Sequence, residues 1–472
     1  MKTYDVIIIG AGSAGLSARK EVSKFTENYL VVDSGVLGTT CARVGCMPSK
    51  VFIEAVHIFH QSKKFSIIGA MPATGFKLDS SLLLQHVRKL RDHFVDGVKL
   101  DMQVWKASHL VQKKARFVTK NVLDLDGEQV TGKKIIIATG SSAIVPTGWA
   151  LSEKVLTTDS FFEQPSFAKK MAVIGMGAIG LELGQALALA GSQVVIFGMG
   201  DTIGGGLSDP EMVTAAKKIF SEDMTLVEDS VSDIQVESDS VSLKHSGQVT
   251  KVDQVLVAIG RKPNLEGLGL EVLGIKLDAA GLPKFSRETF RIEGTEIYLV
   301  GDVNRDRALL HEASEQGRIA GYNSVQSQDE EFQQKVPLAI TFTNPHIASV
   351  GLSYKNLKSG KINFVEGSVR FENQGRAVAR MENKGILKVF ANPETGLLLG
   401  AEIFAPDGEH LAHLLAWSLD GKTTVFDLLE RPFYHPVIEE GLRTALRNLS
   451  KKIKISCPES QSVRCADPPA GK

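Results

Sequence analysis

One strand–glycine–helix unit, written twice, constrains this chain more than any other feature. The first copy runs from the apolar stretch "YDVIIIG" through Gly10, Gly12 and Gly15 into "LSARKEVSKF". The second runs from "KKMAVIG" through Gly175, Gly177 and Gly180 into "LELGQALALAG". A further apolar strand follows each: "YLVVD", ending at Asp33, and "SQVVIFG", ending at Gly198. Later in each unit a strand runs into Ala-x-Gly, at Gly140 and at Gly260. Repetition on this scale predicts an α/β protein with two tandem doubly wound (Rossmann-like) dinucleotide-binding domains. With 472 residues the chain has room for two to four cores, since a single one rarely outgrows roughly 250 residues.

A lone GxGxxG is an ordinary tight turn. With a strand before it, a helix after it and an acid at the end of the next strand, it becomes a dinucleotide fingerprint. Gly10 makes the turn, Gly12 lets a pyrophosphate approach the backbone, and Gly15 lets helix and strand pack. The helix start then holds the phosphates through its N–H groups and dipole. Asp33 lies 18 residues beyond Gly15, placed to accept hydrogen bonds from ribose hydroxyls. In the second copy the matching position is Gly198, followed by Met199, Gly200 and Asp201. It offers neither the acid that suits NAD nor the cation that suits NADP, so either nucleotide is open.

The remaining chain divides by texture. The first domain spans 1–150 and the second 151–284. A return segment, 285–336, contains "TEIYLVGDV" with Asp302. An α+β domain, 337–452, reads as antiparallel strands around an Asn-Pro-x-x-Gly turn in "KGILKVFANPETGLLLGAEIF". Helical stretches "GEHLAHLLAWSL" and "PVIEEGLRTALRNL" flank it. The polar, proline-rich residues 453–472 are expected to form a mobile tail.

Charge excludes some functions. Lysine plus arginine equals aspartate plus glutamate at 54 each, which gives no footprint for nucleic acid or an anionic membrane. No apolar run approaches the roughly 18 residues of a membrane helix, and the amino-terminal run is too short for a signal peptide. A soluble, cytoplasmic protein is expected. Four cysteines are no secreted disulfide framework, and in a reducing compartment a close pair points to redox or metal work. Two of the four, Cys41 and Cys46, sit together in "TTCARVGCMPSK". A metal reading lacks further ligands there, so no metal site is expected. Pro48 suits a first helical turn, and a helix start favours a thiolate.

Seven motifs in order, GAGSAG, C-x4-C-x-PSK, ATGSS, GMGAIGLE, AIGRKPN, VGDV and HPxxxE, resemble those of the FAD-dependent pyridine nucleotide–disulfide oxidoreductases. Among these the resemblance is greatest to dihydrolipoamide dehydrogenase, and it runs from Asp5 to about Leu449. It implies that FAD occupies the first domain with its return segment, that NAD or NADP occupies the second, and that the third forms a homodimer. It implies that Cys41 and Cys46 are the redox-active disulfide, Cys46 facing the flavin and Cys41 exchanging with substrate. Lys50 then lies near the flavin with Glu182 as its partner. Asp302 binds the ribityl chain, and His311 marks the helix start below the flavin ring. Ala115, Thr139, Gly140 and Ser141 are further FAD contacts, while Gly260 and its neighbours line the nicotinamide domain. His435, standing before Pro436 as a helix opener, pairs with Glu440 as an acid–base dyad reaching the other subunit's disulfide. The implied substrate is a small dithiol or disulfide of the lipoamide kind. A 2-oxoacid dehydrogenase complex is a partner that the resemblance admits.

Several residues depart from that pattern. Thr39 replaces a glycine before the first cysteine, and Arg43 an asparagine between the two. Phe433 stands for a histidine, Val437-Ile438-Glu439 for Thr-x-Ser, His346 for a glutamate and Lys113 for a glycine. An altered substrate channel leaves another small disulfide, a metal ion or a quinone as the alternative. Cys457 and Cys465 raise a carboxy-terminal thiol shuttle against two unremarkable thiols, and their seven-residue separation favours the latter. A flavoprotein that serves only as a binding component has no use for the cysteine pair or the dyad.

Overall fold

The structure is a computed structural model that describes residues 1–70 and 75–455. Cys457, Cys465 and most of the expected tail lie outside the described residues. The chain up to Lys454 is tied down: Ile453 is buried in the core of the third domain, and the Lys454 N–H donates to the Pro393 carbonyl.

The first unit builds a seven-stranded sheet around two all-apolar strand cores. Lys2–Ile9 lies between Tyr29–Val32 and Glu128–Ile137, parallel to both, and Leu110–Val111 extends the sheet beyond Tyr29–Val32. Strand Glu128–Ile137 is long enough to serve two neighbours. Its first half pairs antiparallel with Val122–Leu125, and its last three residues pair parallel with Ile297–Leu299. The chain therefore leaves this sheet for the second unit and comes back to complete it. Helices Ser13–Val22 and Leu310–Asn323 pack against each other closely. A Cβ at Gly317 would stand 2.2 Å from the Ala14 carbonyl oxygen, and one at Gly321 2.6 Å from that of Ala18.

The second unit is a five-stranded parallel sheet in the order Thr225–Val227, Gln193–Phe197, Lys170–Ile174, Gln254–Val257, Val155–Leu156. A three-stranded antiparallel layer, Asp233–Val236, Val241–His245 and Gln248–Val252, covers it. Buried strands of parallel sheets read as continuous apolar runs because helices or sheets cover both faces. "MAVI" and "VVIF" do so here.

The third unit is a five-stranded antiparallel sheet, with His346–Gly351 and Leu398–Ala405 at its centre. Ile386–Ala391 and Leu398–Ala405 form the expected hairpin around Asn392-Pro393, and helices Gly408–Asp420 and Glu439–Ser450 pack on the sheet. The last helix begins at Glu439, three residues later than an opener at Pro436 requires; Ile438 is its N-cap, and the His435–Pro436 peptide is cis. Pro436 thus belongs to the turn ahead of the helix. Among the described residues no helix is long and apolar enough to cross a membrane.

Candidate active site

Both glycine turns have the same construction. Gly10 has φ of +111°, and a Cβ there would meet the Ala138 carbonyl oxygen at 2.2 Å. At Gly15 a Cβ would lie 1.9 Å from the Gly10 carbonyl oxygen, so strand and helix touch through backbone alone. Gly12 has open space where its side chain would be. The second turn repeats the arrangement, with Gly175 against Ala258, Gly180 against Gly175, and open space at Gly177. Each middle glycine is therefore bare toward its cleft, which is what lets a diphosphate reach helix N–H groups.

The first cleft consists of two adjoining cavities of about 510 and 270 Å³ that share Gly12, Thr40, Ala138 and Gly140. Asp33 and Ala115 line the larger one. The Asp33 carboxylate accepts the N–H of Ala11 and of Gly35, both at 2.6 Å, which fixes it at the strand end. Thr139 Oγ1 and Arg43 Nε are buried without a hydrogen-bond partner, and both residues line this cavity. Cys41, Cys46, Lys50, Ser141 and Asp302 line the smaller one. The Ser141 hydroxyl donates to Asp302 at 2.8 Å and accepts from Arg261 Nε at 2.8 Å. Bare glycine, strand-end acid, orphaned polar atoms and a cationic flank fit a flavin dinucleotide laid from Asp33 toward the cysteines. His311 departs from its expected place. It is 57% exposed and does not line the cavity, because the first turn of its helix directs Leu309, Leu310 and Ala313 inward instead.

The cysteines meet through a tight local fold. Cys41 lies in the short helix Thr40–Arg43 and Cys46 opens the helix Cys46–Gln61. A Cβ on Gly45 between them would press on the Thr40 carbonyl at 3.2 Å and on Cys41 Cα at 3.4 Å. Both sulfurs are free thiols here. The Cys41 thiol donates to Cys46 and its own pKa is pushed up, by that bond first and burial second. Cys46 is drawn down to about 7, by the bond from Cys41 first, while burial opposes it and the Lys50 ammonium adds to it. Of the two sulfurs, Cys46 is the one that favours the thiolate.

Lys50 reaches Glu182 on helix Ala178–Leu189 at 2.7 and 2.9 Å, and lies 4.7 Å over the Phe342 ring. Glu182 is buried and also accepts the Phe342 N–H at 2.8 Å. The reading of Glu182 as an exposed helix residue, natural from an isolated sequence, is excluded by that burial. His435 and Glu440 also meet. Nδ1 of the imidazole faces the carboxylate at 3.0 and 3.2 Å, which leaves Nε2 free. Arg443 holds Glu440 from the other side at 3.3 Å. The imidazole is 81% exposed and does not line the cleft of its own chain.

Gly175, Gly177, Gly198 and Gly260 line a separate cavity of about 520 Å³ over the second sheet, as expected of a second nucleotide site. Two of its features were missed: Met176 side-chain atoms fill the space beside Gly198, and Asp229 lines the cavity from the chain just beyond the neighbouring strand. A third missed residue, Arg261, lines the first cleft, where it bridges to Ser141. Arg261 had a signal in the quoted motif AIGRKPN. Asp229 had none, since only sheet pairing brings it to the site.

Residues 4–317 match the family described as pyridine nucleotide-disulphide oxidoreductase, and residues 337–446 match its dimerisation domain. The chain is 31% identical over 467 residues to dihydrolipoyl dehydrogenase of Thermus scotoductus, covering 96% of this chain and 98% of the relative. It is 28% identical over 462 residues to mercuric reductase of Lysinibacillus sphaericus, covering 96% of this chain and 84% of that one. Among solved structures, the Cu(II) complex of the HOCl-induced flavoprotein disulfide reductase RclA of Escherichia coli superposes with a TM-score of 0.83. That match has 19% identity and covers 94% of this chain and 99% of the other.

Proposed function

The chain belongs to the pyridine nucleotide-disulphide oxidoreductases, and from that premise we propose that it is a homodimeric dihydrolipoamide dehydrogenase. Bound in the first cleft, FAD would relay an electron pair between the cysteine pair and a nicotinamide. His435 Nε2 takes the proton of a substrate thiol while Glu440 steadies the resulting imidazolium. The substrate thiolate attacks Cys41 Sγ of the oxidised pair, forming a mixed disulfide and releasing Cys46 as thiolate. The second substrate thiol displaces Cys41 and closes the substrate disulfide, its proton passing to the departing Cys41 sulfur while His435 keeps the first. Two electrons then reside on the protein dithiol, with Lys50 beside the Cys46 thiolate.

The observation that supports this reading is the His435–Glu440 pair, an imidazole whose Nδ1 faces a carboxylate at 3.0 Å and whose Nε2 is left free for a thiol proton. A second reading, reduction of a soft metal ion or another small disulfide, draws on two facts. Phe433 lies against Arg443 where dihydrolipoamide dehydrogenases often carry a histidine. The relatives include a mercuric reductase. The deciding assay is dihydrolipoamide oxidation with NAD⁺ and NADP⁺ in parallel. Turnover of about 10 s⁻¹ or more supports the dehydrogenase. Failure with both, while NADH or NADPH still bleaches the flavin, leaves the electron relay standing and moves the substrate to the second reading.

A further inference from the structure

The second nucleotide cavity lacks an acid at Gly198, and its geometry explains why. A Cβ at position 198 would stand 2.6 Å from Met176 Cγ, 2.9 Å from its Cβ and 3.0 Å from its backbone nitrogen. While Met176 occupies the glycine turn, no carboxylate side chain fits at the end of strand Gln193–Phe197. The neighbouring strand compensates. The Gly198 N–H donates to the Val227 carbonyl at 3.1 Å, so the ends of Gln193–Phe197 and Thr225–Val227 lie side by side. Two residues beyond Val227, Asp229 lines the same cavity as Gly175, Gly177 and Gly198.

We propose that Asp229 supplies, from just beyond the end of the adjacent strand, the carboxylate that position 198 lacks, and that it makes this site select NADH over NADPH. The proposal rests on the reading of this cavity as the nicotinamide dinucleotide site. The carboxylate is fixed, accepting the Ser230 N–H at 2.7 Å and facing His245 Nδ1 at 3.3 Å, and it keeps 20% exposure. The Ser246 hydroxyl, then Ser230 and His245, hold its pKa below the usual range against burial, so it is anionic at neutral pH. A ribose hydroxyl donates to such a group, whereas a 2′-phosphate is repelled by it. Among the described residues no lysine, arginine or histidine lines the cavity. Asp201, three residues beyond Gly198, pairs with Lys355 at 3.3 Å, and neither residue lines the cavity.

Calorimetric titration of the oxidised flavoprotein with NAD⁺ and NADP⁺, alongside flavin bleaching by NADH and NADPH, tests this. The expected result is NAD⁺ binding about tenfold tighter or more, falling to within about threefold in Asp229→Asn, which keeps the shape and removes the charge. Asp229→Ser, which removes the charge by a smaller side chain, should narrow the preference likewise and decides the matter if Asp229→Asn does not fold. Equal binding of the two nucleotides, a preference for NADP⁺, or an unchanged preference in Asp229→Asn overturns the proposal. Selective NAD⁺ binding without bleaching by either reduced nucleotide upholds the inference and removes the electron relay instead. Binding of neither removes both.

Discussion

Cys46 and Lys50 lie one helical turn apart, so the ammonium is held on the face of the helix that carries the thiolate. Glu182 works in the opposite direction, its charge raising the Cys46 pKa while its hydrogen bonds aim Lys50. The two contributions are separable by alkylation of the reduced enzyme as a function of pH. Wild-type Cys46 should react with a midpoint near 7. Lys50→Met should move that midpoint up by about one unit, and Glu182→Gln should move it down by less. A midpoint indifferent to both changes would remove the ion pair from the thiolate's environment. Thr39 shows how a departure is absorbed. It keeps a glycine-like backbone with φ of +61°, a conformation that costs a non-glycine residue about 1–3 kcal/mol. Its hydroxyl offsets part of that cost by accepting the Ala42 N–H at 3.2 Å.

Elements rather than single residues connect the second unit to the third. Helix Ala178–Leu189 presents Glu182 to the Phe342 N–H, and Gln185 exchanges hydrogen bonds with Asn344 at 2.7 Å. On strand Leu398–Ala405 the wholly buried Glu402 accepts the N–H groups of Ser208, Asp209 and Tyr354 at 2.8–2.9 Å. Lys388 is buried beside it; burial opposes its charge, but Asp209 and Glu211 outweigh that and raise its pKa. Buried charges this well satisfied hold one arrangement of sheets in preference to others. His346, at the start of strand His346–Gly351, is the exception. Its Nδ1 is buried without a partner, and its pKa is pushed down to about 4, by burial first and by His57 next, against Asp407 and Glu382. Between the ordinary value of 6.5 and 4 the unfolded chain binds a proton at this position that the native state does not. Stability therefore falls as pH drops through that window. His346→Gln should flatten the dependence of Tm on pH there by up to one proton, without abolishing it, because burial also lowers the pKa of His57. An unchanged slope would show that His346 is protonated in the folded protein.

At the scale of the whole molecule, the acid–base pair and the sulfurs belong to different surfaces. His435 faces outward from the dimerisation domain, whereas Cys41 and Cys46 open into the cleft of the first domain. A site completed by a second copy makes a specific prediction. Cys46→Ser and His435→Gln subunits, each inactive alone, should recover about a quarter of wild-type turnover when equal amounts are mixed and allowed to exchange. Half the dimers are then mixed, and each mixed dimer has one intact site. No recovery, with mixed dimers present by mass, would assign the dyad to its own chain's chemistry or to none.

Local patterns alone determined the two glycine turns and the hairpin at Asn392-Pro393, and they set Cys41 and Cys46 close together. Each depends on residues within one or two turns of chain, where steric demand acts directly on spacing. The resemblance carried Lys50–Glu182 across a separation that spacing could not bridge and singled out His435–Glu440 within five residues, and the structure brings both pairs into contact. The helix start that it placed at His311 does line the cleft, but through Leu309, Leu310 and Ala313, because one residue of difference around a helix start exchanges the inward face for the outward one. Pro436 as a helix opener failed because the turn before the helix is longer than the sequence suggests. Only the tertiary structure decided what stands beside Gly198. Strand pairing brings Val227, and with it Asp229, to the end of Gln193–Phe197, while Met176 closes the position a carboxylate would need. Sheet register is a long-range property, fixed by which apolar faces bury together, and no local window of this chain contains both strands.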